Sequence, residues 1–300
     1  MTLQSLFKTS LLFVSTTCLF LLIGCIDNFG GGPRKQKETR EALGKILQDF
    51  VITEEAKDGA NHSQLYVSNG STVNFVLKSN GNPVITNLTR DQWIGFFTSW
   101  DYEYFPVYSD IDFTIKRGMA LDSHLFQGFR DGQPDLFGND IFLYVKTPDG
   151  WKIVSLSSTI TAPDDTTDYD AIGPLEASPY MVFDHFTRTM EQQDFEAFTG
   201  LFINETAPCF RFQKEFDVPY SQDAHTASAF FRETQEKTPG GTINFQALKI
   251  EIKDQYTAQV SSSYNLKNDY GIVEKGEILA TLAGTPTDGW KITAMLFSIK

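Results

Sequence analysis

Two hydrophobic periods alternate along this chain. Leu43, Ile46, Leu47 and Phe50 recur at helical spacing within Glu41 to Phe50. Val182, Phe183, Phe186 and Met190 do the same within Ser178 to Met190, and Phe195, Phe198, Leu201 and Phe202 follow within Asp194 to Phe202. Such spacing gathers the apolar side chains on one face of a helix. Elsewhere the period is two. Ile111, Phe113 and Ile115 alternate with Asp112, Thr114 and Lys116, and Leu248, Ile250 and Ile252 alternate with Lys249, Glu251 and Lys253. That alternation predicts antiparallel strands with one covered face and one wetted face.

The pattern also repeats itself. Asp149-Gly150-Trp151-Lys152-Ile153 returns as Asp288-Gly289-Trp290-Lys291-Ile292, 139 residues later. Each copy follows an apolar run (Ile141 to Val145; Ile278 to Leu282) and precedes another (Ile153 to Ile160; Ile292 to Ile299). Asp-Gly between apolar runs predicts a hairpin, because glycine accepts the positive φ of a tight turn. A period this long indicates two domains rather than solenoid units, which are far shorter. Helices first and strands after give each domain an α+β character, with helices covering one face of a curved antiparallel sheet.

The N-terminus is an address rather than part of the fold. The apolar stretch from Leu11 to Leu22 is interrupted by Ser15, Thr16 and Thr17. It is shorter than the roughly 20 residues a membrane-spanning helix needs. It leads into Leu22-Ile23-Gly24-Cys25, which resembles the lipobox of bacterial lipoproteins. The resemblance implies cleavage before Cys25, lipidation of its sulfur and anchoring in a membrane. Ile26 rather than Asp follows, which points to the outer membrane facing the periplasm more than to the inner membrane. The expected organisation is a signal peptide over 1–24, a lipidated tether over 25–37, a domain over 38–161, an acidic linker over 162–175 and a second domain over 176–300. Asp164, Asp165, Asp168 and Asp170 in the linker lack the Gly and terminal Glu of a calcium loop and are expected to be solvated. With Cys18 removed and Cys25 lipidated, only Cys209 remains, flanked by Pro208 and Phe210. It reads as a small buried hydrophobe rather than a nucleophile.

The run from Phe186 to Phe198 (Phe-x-x-x-Met-Glu-Gln-Gln-Asp-Phe-Glu-Ala-Phe) and the terminal Asp-Gly-Trp-Lys-Ile hairpin resemble the NTF2-like (SnoaL-like) superfamily. The resemblance covers nearly all of 176–300 and, less clearly, 38–160. It implies two tandem cones with a pocket between sheet and helices, and a sharp break between helices at Asp194. Members include isomerases, cyclases, dehydratases and binding modules without activity, so the fold does not choose among them. One branch uses an Asp base with a Tyr/Asp oxyanion pair. Tyr180 is well placed, but no matching pair of strand Asp residues follows, so that chemistry is not carried over.

A net charge of −13, from 25 Lys plus Arg against 38 Asp plus Glu, argues against nucleic acid as a partner. Asp122 and His124, two apart on a strand, share a face. Inside a pocket they would form a carboxylate-oriented imidazole suited to general base catalysis. The alternation instead places them on the wetted face, with Met119, Leu121 and Leu125 covered. Asp184 is expected in solvent with His185 at the edge of its helix. Arg211, between Phe210 and Phe212, could bind a carboxylate ligand bidentately, and is more commonly found on a strand's wet face. Aromatics from Trp93 to Tyr108 suit a core first, then a pocket or an interface. No metal-ligand spacing, Walker loop, GxGxxG or Gly-x-Ser-x-Gly occurs, and no cofactor is expected. The sequence therefore reads as an envelope lipoprotein binding a small apolar ligand or an envelope protein without catalysis. The alternatives are an isomerase/lyase-type enzyme with one active pocket and a structural subunit of an envelope complex.

Overall fold

The computed structural model describes residues 33–78, 82–168, 175, 178–213 and 226–300. The signal peptide, Cys25 and residues 169–174 of the expected acidic linker lie outside them. The first half comprises α1 (Pro33–Glu55), α2 (Gly59–Ser63), β1 (Thr72–Lys78), β2 (Val84–Thr89), α3 (Arg90–Thr98), β3 (Tyr104–Lys116), β4 (Met119–Arg130), β5 (Gln133–Thr147) and β6 (Gly150–Thr161). The second comprises α4 (Tyr180–Glu191), α5 (Phe195–Thr199), β7 (Cys209–Gln213), α6 (Ala227–Lys237), β8 (Thr242–Asp254), β9 (Thr257–Asn268), β10 (Gly271–Thr285) and β11 (Gly289–Ile299).

Helix α1 begins within the stretch expected to be tether. Along it Arg34–Glu38 and Lys37–Glu41 pair one turn apart. Its apolar stripe of Leu43, Leu47 and Phe50 is buried, as the period requires. The sheets are mixed rather than wholly antiparallel. Their orders are β2-β1-β6-β5-β4-β3 and β7-β11-β10-β9-β8, and the β1–β6 and β7–β11 pairs are parallel. Helices α3 and α6 supply the chain reversals before β3 and β8.

The halves match at specific positions. Lys57 and Gln193 both take a positive φ (54° and 57°) that ends the first helix. The next residues, Asp58 and Asp194, cap α2 and α5 through their side chains. Tyr66 bridges Ile153 in parallel, and Phe202 bridges Ile292 in the same way. Thr89 and Thr226 cap α3 and α6. Bulges containing Asp110 and Ala247 (φ 54° and 51°) bend the edge strands β3 and β8.

Each sheet covers its own helices with one face and packs on the other sheet with the opposite face. Leu43, Leu47, Phe50, Trp93 and Phe97 meet Phe113, Ala120, Phe142 and Tyr144 in the first core. Val182, Phe183, Phe186, Phe198, Phe230 and Phe297 build the second. A third cluster joins the halves: Leu121, Ile141, Leu143 and Val145 lie against Phe210, Leu279, Ala294 and Leu296. The result is a helix–sheet–sheet–helix stack. Burying the back faces of both sheets changes where polar strand residues can lie.

Candidate functional site

The wetted-face expectation for Asp122 and His124 is overturned. Met119, Leu121 and Ser123 on the opposite face of β4 are buried, Met119 and Leu121 in the cluster that joins the halves, so the Asp122 and His124 side chains turn into the first cone. Asp122 is 0% exposed and His124 1%. In the first half, the alternation that separates covered from wetted positions instead separates the joint between sheets from the cone interior.

These two side chains anchor a polar network. His124 Nδ1 lies 2.9 Å from Asp122 Oδ1, and the Tyr144 hydroxyl donates to Asp122 Oδ2 at 2.5 Å. His124 is paired opposite Asp140 across β4 and β5, and its Nε2 lies 3.7 Å from Asp140 Oδ2. The imidazole lies between the rings of Tyr108 and Phe142, with centroids at 4.2 and 5.6 Å. Burial alone pulls the imidazole's pKa down, but the carboxylates of Asp122 and Asp140 outweigh it and raise the pKa to about 9. His124 is therefore a cation at neutral pH, able to donate a proton rather than take one. Burial raises the Asp122 carboxyl, opposed by His124 and Tyr144.

A second acid comes from the helix. Glu54 continues the stripe Leu43–Leu47–Phe50 one turn further and is 4% exposed. Burial, then the charge of Asp140, push its carboxyl to about 8, so it is a neutral acid at pH 7. His62 on α2 is held differently. Thr53 donates to the Asp49 carbonyl at 2.7 Å, so the His62 Nδ1–H donates to Thr53 Oγ1 at 2.8 Å and Nε2 carries the lone pair. Burial lowers the His62 pKa to about 4, against the opposing charge of Asp58. His62 Nε2, Tyr66 Oη, His124 Nε2 and Asp140 Oδ1 are buried here without a hydrogen bond, and so are the donors Arg40 Nη1, Trp93 Nε1 and Trp100 Nε1 of the same core.

The second cone is built from the same positions without this chemistry. The matched helix ends set Glu54 against Met190, His62 against Phe198 and Tyr66 against Phe202. The matched strand registers set Asp122 against Val260, Asp140 against Ile278 and Tyr144 against Leu282. Tyr108 corresponds to Phe245, and His124 to Ser262, whose hydroxyl bonds the Gln246 carbonyl. All of these counterparts except the serine are apolar.

Arg211 does not join Asp122 and His124. It lies in the second half, where Phe75 stands in the first, and is ion-paired to Glu274 with its guanidinium 5.8 Å from the Phe230 ring centre. Tyr264 donates to the other Glu274 oxygen at 2.6 Å. The expected wet-face position does not hold, because Phe210 and Phe212 occupy the joint between the sheets and turn Arg211 inward. Cys209 is fully buried, and burial pushes its thiol upward. Asp184 is exposed and His185 half-buried. Of the aromatic stretch, Trp93, Phe97 and Tyr104 are core, while Phe96 is exposed.

Glu54, Asp140, Tyr66 and Tyr144 were not singled out from sequence. A signal for Glu54 was present: an acid continuing an apolar helical stripe. Asp140 directly precedes the apolar run Ile141 to Val145, where nothing distinguishes it from a turn residue. Among the described residues no group of three or more His, Cys, Asp or Glu is arranged to hold a metal ion, and no helix is long and apolar enough to cross a membrane.

No family model matches the sequence, and no curated protein matches it. Solved structures do resemble parts of it. An NTF2-like protein with a cystatin-like fold from Novosphingobium aromaticivorans is 14% identical over 47% of this chain and 92% of its own, with a TM-score of 0.36. A member of the NTF2-like family from Streptomyces avermitilis is 16% identical over 42% of this chain and 96% of its own (TM-score 0.34). An NTF2-like protein from Cytophaga hutchinsonii is 14% identical over 40% and 96%, with a TM-score of 0.33.

Proposed function

We propose that the first cone is a small-molecule binding site, that the second is its structural support, and that the protein is an envelope lipoprotein held to a membrane through Cys25. One observation carries the assignment of roles. Buried polar groups lower stability unless they serve something, and this chain places Glu54, His62, Asp122, His124 and Asp140 together in the first cone, where the equivalent positions of the second are apolar except Ser262. The second cone's buried polar groups, Arg211, Glu274 and Tyr264, pair with one another. His62, Tyr66, His124 and Asp140 each keep a polar atom there without a hydrogen bond, which is rare in a finished core and common where a ligand completes the set.

Native mass spectrometry on the full chain, purified in mild detergent from its own host, tests this. The expected result is an extra mass that leaves on denaturation and is lost in Glu54→Gln. An extra mass lost instead with a second-cone substitution such as Phe198→Ala would overturn the assignment. For the anchor, Cys25→Ser should move the protein from the membrane to the soluble fraction and remove the lipid mass. Retention in the membrane with unchanged mass would rule the lipid out.

A second reading, an isomerase/lyase-type enzyme, draws on the Asp122–His124 pair. At neutral pH His124 is already charged and Glu54 already protonated, so such chemistry would begin with proton donation from this cone rather than abstraction by His124.

A further inference from the structure

We propose that the uncovered end of the first sheet's back face is a docking surface for a protein partner whose apolar side chains are framed by lysine or arginine. This surface is separate from the interior of the first cone and from Cys25, so it stands or falls independently of both.

Strand register builds it. Leu121, Ile141 and Leu143 on this face are covered by the second sheet. Further along the same strands the cover ends, yet the apolar residues continue. Phe105 pairs with Phe129, and Val107 and Phe137 both pair with Gln127. Residues paired directly opposite share a face, as do residues two apart on one strand. Leu125, two residues before Gln127, therefore joins the same surface. Val107 is 46% exposed, Leu125 48% and Phe137 46%. The half-buried rings of Phe105 and Phe129 stack with their centroids 5.0 Å apart. These side chains span three adjacent strands as one patch, which is a different matter from single apolar residues scattered over a surface.

The second half shows that the fold does not require the patch. Its registers set Val107 against Asn244, Leu125 against Ser263 and Phe137 against Lys275. The stacked pair Phe105–Phe129 corresponds to Thr242–Lys267. All five counterparts are polar, as expected of a strand end that meets water. The first half keeps apolar side chains at the same positions.

Charge selects the occupant. Glu103 and Asp131 lie two residues beyond Phe105 and Phe129, and Asp131 accepts from the Glu103 backbone N–H at 2.9 Å. Asp135 lies two residues before Phe137, while Asp110 and Asp112 flank the other end, Asp112 opposite Ser123. All but Asp135 are exposed. The neighbouring cation, Arg130, is held by Asp135 at 2.8 Å and lies over the Tyr102 ring. The patch thus has an acidic rim, on a chain whose net charge is −13. A second copy would bring like charges together, and an anionic bilayer would be repelled. A partner with basic side chains around an apolar centre complements both parts of the surface.

The test uses two labelled hexapeptides, Leu-Lys-Phe-Lys-Leu-Lys and Leu-Glu-Phe-Glu-Leu-Glu, titrated with the full chain in a non-ionic detergent and followed by fluorescence anisotropy. The lysine peptide is expected to bind at least about tenfold more tightly than the glutamate peptide, and to weaken at least about tenfold from about 50 to about 500 mM salt. Val107→Asn with Leu125→Ser copies the second half at exposed positions and should fold. Glu103→Gln with Asp110→Asn and Asp131→Asn neutralises the rim while leaving an acceptor for the Glu103 N–H. Each variant is expected to lose the lysine peptide by at least about tenfold. Equal binding of the glutamate peptide, binding of neither peptide, or unchanged lysine-peptide affinity in either variant would overturn the proposal. So would sedimentation of the native chain as a dimer that Val107→Asn with Leu125→Ser makes monomeric, because the occupant would then be a second copy.

Discussion

At the scale of single residues, the first cone trades stability for chemistry, and pH exposes the trade. Glu54 has a folded pKa of about 8 against 4.5 for an ordinary glutamate. Because the folded value is raised, its contribution is fully present below about pH 4.5 and is lost as pH rises through 8. Glu54→Gln should therefore be more stable than the native chain at pH 9 by on the order of 2–4 kcal/mol, and nearly equal to it at pH 4.5. Urea melts at both pH values measure this, and parallel profiles would sink the burial account. His124 also loses its contribution on the alkaline side, but it is present in both proteins and cancels in the comparison. His62 behaves oppositely. Its folded pKa of about 4 lies below 6.5, so its contribution is present above pH 6.5 and lost as pH falls towards 4. His62→Phe, which copies Phe198, should flatten the acid side of the profile. For the ion pair, Asp122→Val leaves a buried imidazolium beside only Asp140 and should cost about 3–5 kcal/mol. Adding His124→Ser, so that both positions copy the other half, should recover part of that loss. A double-mutant cycle with no coupling would contradict the pairing.

At the scale of elements, two glycines show how the strands accommodate the curvature. A Cβ at Gly138 would sit 1.7 Å from the Thr159 carbonyl oxygen, and one at Gly276 would sit 1.8 Å from that of Ser298. Both are backbone contacts between neighbouring strands, so no rotamer change can relieve them. Gly138→Ala and Gly276→Ala should each cost at least about 2–3 kcal/mol or prevent folding, as thermal melts would show. An ordinary melting temperature in either variant would contradict this strand geometry. The elements themselves were largely legible in sequence. The helical stripes from Leu43 and Val182, the alternation in β3 and β8 and the Asp-Gly hairpins all depend on local spacing, which the chain carries by itself. The parallel pairs of β1 with β6 and β7 with β11 were not legible, because each joins segments about 80 residues apart with no shared turn to announce them.

At the scale of the molecule, the halves are bound by more than a linker. The joint is apolar at Leu121, Ile141, Leu143, Leu279 and Leu296, and polar where Ser157 Oγ meets Thr293 Oγ1 at 2.8 Å. Asn204 donates to Asn87 at 2.8 Å, and Lys78 pairs with Asp254 at 2.9 Å across the same boundary. Removing one half would expose the apolar back face of the other sheet, the kind of patch that drives association. The full chain should therefore unfold in one calorimetric transition, while residues 33–161 expressed alone should aggregate or associate. Two separate endotherms in the full chain would refute the joint as a source of cooperativity.

The sequence by itself determined the local structure, the repeat and the motif at Cys25, because periodicity, turn chemistry and short motifs act between near neighbours. It placed Asp122 and His124 correctly on one face of one strand. Which face that was depended on the back of another sheet, more than 100 residues away in the chain, that buries Leu121 and leaves the cone as the only side open to them. The convergence of Glu54, Asp140, Tyr66 and Tyr144 on that pair is likewise a product of packing. Their spacing in the chain carries no period, so only the closed cone could bring them together.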